Sequence, residues 1–158
     1  MTRRVSSDSR WEPLVGYSRA VAAGDFVFVS GCTSVVRAEL VHKGDAYAQA
    51  AQAISNVGAA LARFGIGLAD VVKVSLFVTD ITRWEDVGRA HAEAFGAFRP
   101  ACTMVEVAGL VDPEMLVEVE AVAYRKDIGE LRPAAPCGRR VRCGADLGIT
   151  PNHAQRYG

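Results

Sequence analysis

No apolar run reaches the about 18 residues that a membrane-spanning helix needs, so no span of that kind is expected. The opening MTRRVSSDSRWEP has basic residues but no apolar stretch behind them, and is not read as a secretory signal. Cys32, Cys102, Cys137 and Cys143 form no Cys-x-x-Cys pair. His42, His91 and His153 show no metal-ligand spacing. A structural metal site is therefore not expected, and the thiols are read as reduced ones in a cytoplasmic protein. Excess charge of one sign is also missing, because 18 Lys and Arg balance 18 Asp and Glu. A dedicated nucleic-acid binder draws its affinity from neutralising phosphates, so that partner is not expected here. No internal repeat is found.

What is present is a chain that is 50% hydrophobic, enough to fill the core of one domain. Residues 1–12 read as a polar lead-in. From Ser18 to Thr33 the text is strand-like, broken by a turn at Ala23-Gly24-Asp25. Strict alternation puts Phe26, Phe28, Ser30 and Cys32 on one face and Val27, Val29 and Gly31 on the other. A polar loop from Val36 to Gly44 follows. Asp45 is an N-cap candidate for a helix over 46–64, whose Ala50, Ala53, Ile54, Val57, Leu61 and Phe64 have the spacing of a buried stripe. Val71 to Thr79 reads as a strand, with Val72, Val74, Leu76 and Val78 facing one way and Lys73, Ser75 and Phe77 the other. Thr82 and Glu85 have capping-box spacing for a second helix running to about Phe98. Its stripe includes Trp84, Val87, His91 and Phe95, with His91 expected as a hydrogen-bonded core histidine.

The segment from Phe98 to Tyr124 reads as a β-hairpin. Cys102, Met104 and Glu106 share a face of its first strand, and Glu118 and Glu120 a face of its second. The order of elements implies an α+β fold with both helices on one side of a mixed sheet of about six strands. The other side, carrying Lys73, Phe77, Glu106, Glu118 and Glu120 beside Met104 and Val122, mixes aromatic, aliphatic and charged groups. It is expected to meet other subunits. Residues 1–126 are taken as the domain. Residues 127–158, with three prolines and a basic run at Arg139-Arg140-Val141-Arg142, are taken as a poorly ordered extension.

Several ordered landmarks resemble the Rid/YjgF family of reactive-intermediate deaminases. They are Gly16-Tyr17-Ser18, Val29-Ser30-Gly31, Gln52-x-x-x-Asn56, Asp70-Val71-Val72-Lys73, Pro100-Ala101 and Val117-Glu118-Val119-Glu120-Ala121. The resemblance covers about residues 13–125. It implies a chorismate-mutase-like fold, a homotrimer with small-molecule clefts at its subunit interfaces, and no metal or organic cofactor. It also implies hydrolysis of enamines or imines to a carbonyl product and ammonia. By the same resemblance Tyr17 lines the cleft, Ser30 and Gly31 form a wall that a ligand approaches, and Glu118 positions or activates water. Cys32, next along the strand, is carried with the substrate-binding candidates, its alternative being a small buried hydrophobe.

One position departs from the pattern. The family arginine that pairs with a substrate carboxylate follows the Pro-Ala dipeptide, and here that residue is Cys102. Three readings stay open. The site hydrolyses an imine- or enamine-type metabolite without the usual carboxylate, using Glu118; or Cys102 is itself a nucleophile; or Cys102 only makes room. Non-catalytic ligand binding by the trimer and RNA cleavage are the competing classes. The second is disfavoured by neutral charge and the absence of a catalytic histidine cluster. Loss of a bidentate guanidinium–carboxylate contact costs about 2–5 kcal/mol, or roughly 30- to several-thousand-fold. Turnover of simple 2-imino acids such as 2-iminopropionate is therefore expected to be low. A coupled ammonia-release assay checks this, and a rate like that of arginine-bearing family members contradicts it.

Overall fold

A computed structural model describes residues 2–7 and 9–128. The strands and helices are β1 (Thr2–Val5), α1 (Trp11–Val15), β2 (Ala20–Ala23), β3 (Phe26–Cys32), β4 (Val35–Val36), β5 (Glu39–Leu40), α2 (Ala46–Ala62), β6 (Val71–Val78), α3 (Trp84–Phe95), β7 (Ala101–Glu106) and β8 (Val117–Tyr124). Six strands form one sheet in the order β1-β2-β3-β8-β6-β7, antiparallel except for the β6–β7 pair. The α+β class, the mixed six-stranded sheet and the two helices on one face match the expectation.

The helix α2 forms where its apolar spacing predicted. The Asp45 side chain accepts from the Ala48 amide at 3.0 Å, a cap that typically contributes about 1 kcal/mol. Ala50, Ala53, Ile54, Val57, Leu61 and Phe64 are all buried against the sheet. Gly65, at φ 76°, takes the left-handed turn that ends the segment. The start of α3 differs from expectation. Thr82 donates its amide and hydroxyl to Asp80 Oδ1 at 3.0 and 2.6 Å, so Asp80 caps a short turn ahead of the helix and Thr82 makes no capping box with Glu85. Helix α3 ends at Phe95 rather than Phe98, and Trp84 lies exposed at its first position. His91 stacks on Phe95 with ring centroids 4.9 Å apart, and its buried Nε2 has no hydrogen-bond partner among the described residues. The expected hydrogen-bonded histidine is thus corrected.

The expected hairpin is not formed. Strand β7 pairs in parallel with β6, and β8 pairs with β6 and β3, so β6 separates the two presumed partners. Alternation along each strand was legible, but which strand lies between them is a non-local choice. The connection after β7 contains Gly109 and Pro113 and is long enough to step across one strand, a lateral move of about 10 Å. This topology changes which groups share a face. Registered partners point the same way, and Cys102, Met104 and Glu106 stand opposite Val74, Leu76 and Val78 on the helix side. Glu118 and Glu120 stand opposite Phe77 and Ser75 on the other side. The thiol and the two carboxylates therefore lie on opposite faces of the sheet, and Glu106 and Met104 leave the open face to which they were assigned.

Two further corrections concern bulges. Pairing of β3 with β8 slips between Val29 and Cys32, and Cys32 lands in the core beside Val119. Pairing of β6 with β8 slips between Val71 and Lys73, which buries Val71 and leaves Val72 44% exposed. The polar lead-in also has structure, since β1 pairs with β2 and α1 follows it. The loop from Val36 to Gly44 includes the small β4–β5 hairpin. At the other end Ile128 is buried, so the packed domain extends past residue 126. Residues 129–158, with Cys137, Cys143 and the basic run, lie outside the described residues. Among the described residues no helix is long and apolar enough to cross a membrane.

Polar side chains tie α2 to the loops beside it. Gln49, fully buried, donates to the carbonyls of His42 and Glu114 at 3.3 and 3.0 Å and accepts from the Leu116 amide at 2.8 Å. Replacing it strands backbone groups in the interior. Gln49→Ala is expected to cost about 1–3 kcal/mol in urea unfolding, with an unchanged slope. A midpoint equal to that of the unaltered chain contradicts this anchoring role.

Candidate functional site

The last residues of β3 define the site. Because the bulge removes Ser30 and Gly31 from the register with β8, their carbonyls need other donors. Arg19, just ahead of β2, supplies them: its Nη1 donates to Ser30 O at 3.1 Å and to Gly31 O at 2.5 Å. Its Nη2 donates to the Tyr17 hydroxyl at 2.9 Å, which fixes the ring in the wall. The Ser30 hydroxyl donates to Ser18 O at 2.8 Å, binding β3 to the same turn. Behind Arg19 stands Glu12 of α1, 6% exposed, with Oε1 3.7 Å from Arg19 Nε. Glu12 in turn accepts from the Ser7 amide at 3.0 Å and the Ser7 hydroxyl at 2.6 Å. Gly16, at φ 82°, closes α1 in a left-handed turn and delivers Tyr17.

Glu118 projects from β8 toward this bulge. A Cβ built on Gly31 would collide with Glu118 Oε1, so the absence of a side chain at residue 31 is what gives the carboxylate its place. No hydrogen bond to the Glu118 carboxylate is made by the described residues, which leaves its oxygens available to a ligand or to water. Burial pushes its pKa above the ordinary glutamate value, Arg19 opposes that shift, and the neighbouring Glu120 adds to it. Cys32 is 4% exposed, and burial raises its thiol pKa against the pull of Arg19. It is a small apolar wall residue in its protonated form, 3.4 Å from Arg19 Nη1.

These groups line a cleft of ≈ 840 Å³. Its floor holds Tyr17, Arg19, Ser30, Gly31, Cys32 and Glu118, and the β4–β5 hairpin and α2 supply one flank. Asn56 of α2 donates to the carbonyls of Thr33 and Val35 at 2.8 and 2.9 Å, and Gln52 donates to Asn56 Oδ1 at 3.0 Å. This pair fastens the strand-to-hairpin connection that forms the flank. Five of the six residues singled out from sequence thus meet in one cleft. The sixth, Cys102, does not: it lies exposed on the edge strand β7, outside the cleft walls of this chain. Burial raises its thiol pKa, and among the described residues no cation lowers it. A thiolate nucleophile needs the opposite. Arg99, in a left-handed turn after α3, is exposed and also outside these walls. Among the described residues no group of three or more His, Cys, Asp or Glu is placed to hold a metal.

Sequence reasoning missed Arg19 and Glu12. The available signal was a cation within a stretch read as strand, preceded by an acid in a segment read as lead-in. Without the fold nothing linked them.

A family model described as Endoribonuclease L-PSP matches residues 7–125. An uncharacterised protein of Streptomyces coelicolor is 42% identical over 123 residues, covering 78% of this chain and 92% of that protein. The 3-aminoacrylate deaminase RutC of Acinetobacter baylyi is 34% identical over 113 residues, covering 71% of this chain and 89% of that protein. The crystal structure of a YjgF-family protein of Mycobacterium tuberculosis superposes with a TM-score of 0.72 at 46% identity, covering 79% of this chain and 100% of that one.

The close contact at Gly31 generates a direct test. Gly31→Ala is expected to swing the Glu118 carboxylate away from β3 while the fold persists, visible in a crystal structure of the variant. An unmoved Glu118 contradicts the steric argument.

Proposed function

The chain belongs to the endoribonuclease L-PSP family, the YjgF/Rid group, and on that premise we propose that it hydrolyses an enamine- or imine-type metabolite other than a simple 2-imino acid. The active form in this reading is a cytoplasmic homotrimer, with its clefts completed at subunit interfaces. The observation that carries the reading is the Glu118 carboxylate. It is half-buried, free of protein hydrogen bonds among the described residues, and held over Gly31 at the floor of the cleft.

The chemistry asks for one base that becomes one acid. An enamine first gains a proton at carbon and loses one from nitrogen to water, becoming the imine. Glu118 then takes a proton from water as the water oxygen bonds to the imine carbon and the C=N π electrons move to nitrogen. The protonated carboxyl returns that proton to nitrogen. Collapse of the carbinolamine expels ammonia and leaves the carbonyl product, so imine and water are balanced by carbonyl and ammonia. A carboxyl with a raised pKa is a stronger base than an ordinary glutamate, and once protonated it is the acid that the second half needs.

The proposed trimer draws support from the open sheet face. Phe26, Phe28, Val105 and Tyr124 are each more than 40% exposed there, and the Phe26 and Tyr124 ring centroids lie 5.2 Å apart. An apolar face of this kind is disfavoured in water. Cys32 and Cys102 are unbridged, which fits a reducing compartment.

Glu118→Gln is expected to lower turnover by roughly 10²–10⁴-fold without altering the oligomer. The readouts are carbonyl product by mass spectrometry, for a panel of enamines that includes 3-aminoacrylate, and sedimentation. Turnover of the unaltered chain should fall on acidification at a pH above the usual glutamate range, because the base must be ionised. Saturable binding without product across the panel favours the non-catalytic alternative. Full activity of Glu118→Gln removes Glu118 as the base.

A further inference from the structure

We propose that Arg19 is a positioning residue for Glu118: seated by Glu12 of α1, its guanidinium holds the β3 bulge on which the Glu118 carboxylate rests and is the cation that faces that carboxylate. The proposal rests on the reading of Glu118 as the base and deepens it. It is carried by geometry. The bulge leaves Ser30 and Gly31 without a registered partner on β8, the Ser30 amide donates to Arg19 O at 3.0 Å, and both carbonyls are taken up by Arg19 Nη1. Without those donors two inward carbonyls lose their partners, and the register slip that brings Gly31 under Glu118 loses its support. Arg19 itself is only 12% exposed, and Glu12, 6% exposed, supplies its counter-charge. Such a buried pair is held for placement rather than for net stability.

The donor inventory of Arg19 rules out the simpler role of a substrate clamp. Both hydrogens of Nη1 face backbone carbonyls, one of Nη2 goes to Tyr17, and Nε points toward Glu12. No parallel pair of N–H groups remains for a bound carboxylate. The guanidinium therefore acts through Glu118 and Tyr17, not on the substrate directly. Among the described residues, the charged and titratable groups acting on Glu118 are Arg19 just ahead of β2, Glu120 on its own strand, and the Cys32 thiol of β3. A change in the Glu12–Arg19 pair should thus be felt at Glu118 with little competition.

The test reads Glu118 without any substrate, so it fails independently of the enzymatic reading. In the full chain, ¹³C-carboxyl NMR follows the titration of Glu118, assigned by the signal lost in Glu118→Gln. Glu12→Gln keeps an acceptor for Ser7 but leaves the Arg19 charge uncompensated, and Glu118 is expected to titrate at lower pH. The double variant Glu12→Gln/Arg19→Gln removes both charges without leaving one stranded, and Glu118 is expected to titrate at higher pH. The amide signals of Ser30 and Gly31 should also shift in the double variant. Packing alone gives no reason for opposite shifts from the two variants. Should the double variant not fold, Glu12→Gln decides alone: a downward shift supports the proposal and no shift overturns it. A folded double variant whose Glu118 titrates as in the unaltered chain, or shifts in the same direction as in Glu12→Gln, also overturns it.

Discussion

The bulge near the end of β3 is the constraint on which the site depends. An antiparallel strand alternates its side chains strictly, and one slipped residue reverses the alternation beyond it. Here the slip sends Cys32 into the core and places Gly31 under Glu118, at the point where Arg19 takes up the Ser30 and Gly31 carbonyls. A regular β3 would turn Cys32 to the open face and continue its ladder with β8 through Gly31. The cleft would then lose both its floor and its reason for a buried arginine. A local irregularity of backbone pairing thus sets the position, charge environment and accessibility of one carboxylate.

That irregularity is maintained from a distance. Ser7 holds Glu12, Glu12 neutralises Arg19, and Arg19 reaches Tyr17 and the bulge. The segment before β2 is therefore part of the cleft rather than a preface to it. On the opposite flank, Asn56 performs a similar task for the connection after β3, taking two carbonyls that no strand satisfies. In both cases a partly buried polar side chain completes backbone bonding where the sheet stops being regular. The regular parts of the fold need no such help, and their cohesion is the apolar contact between α2, α3 and the sheet.

This division explains what was legible in the sequence. The α2 stripe, the β8 alternation and the Asp45 cap are local patterns, and each appears in the structure as read. Tyr17, Ser30, Gly31 and Glu118 were found through an ordered set of short landmarks. What escaped was non-local. The insertion of β6 between β7 and β8 cannot be seen in either strand's alternation, and the two bulges undo parity arguments for Cys32 and Val72. Arg19 and Glu12 escaped because a buried ion pair is defined by burial and partner together, and sequence supplies neither. His91 shows the reverse error, a polar residue on an apolar stripe for which a partner was assumed and none is provided among the described residues.

The same geometry changes the meaning of Cys102. Read on a hairpin, it stood beside the glutamates as a possible nucleophile. In the sheet it lies on the far face from Glu118, on an edge strand, with its thiol favoured over thiolate by burial. Its chemistry is therefore not coupled to that of Glu118 within one chain. Arg19 is a poor replacement for the guanidinium absent at residue 102, because Nη1 is held by the Ser30 and Gly31 carbonyls and Nε is turned toward Glu12. On the proposed reading Glu118 activates water, while Arg19 is committed to the wall of the cleft through Ser30, Gly31 and Tyr17. Selectivity in such a cleft has to come from its walls, from the shape set by Tyr17, Cys32 and the β4–β5 hairpin, rather than from a single fixed charge.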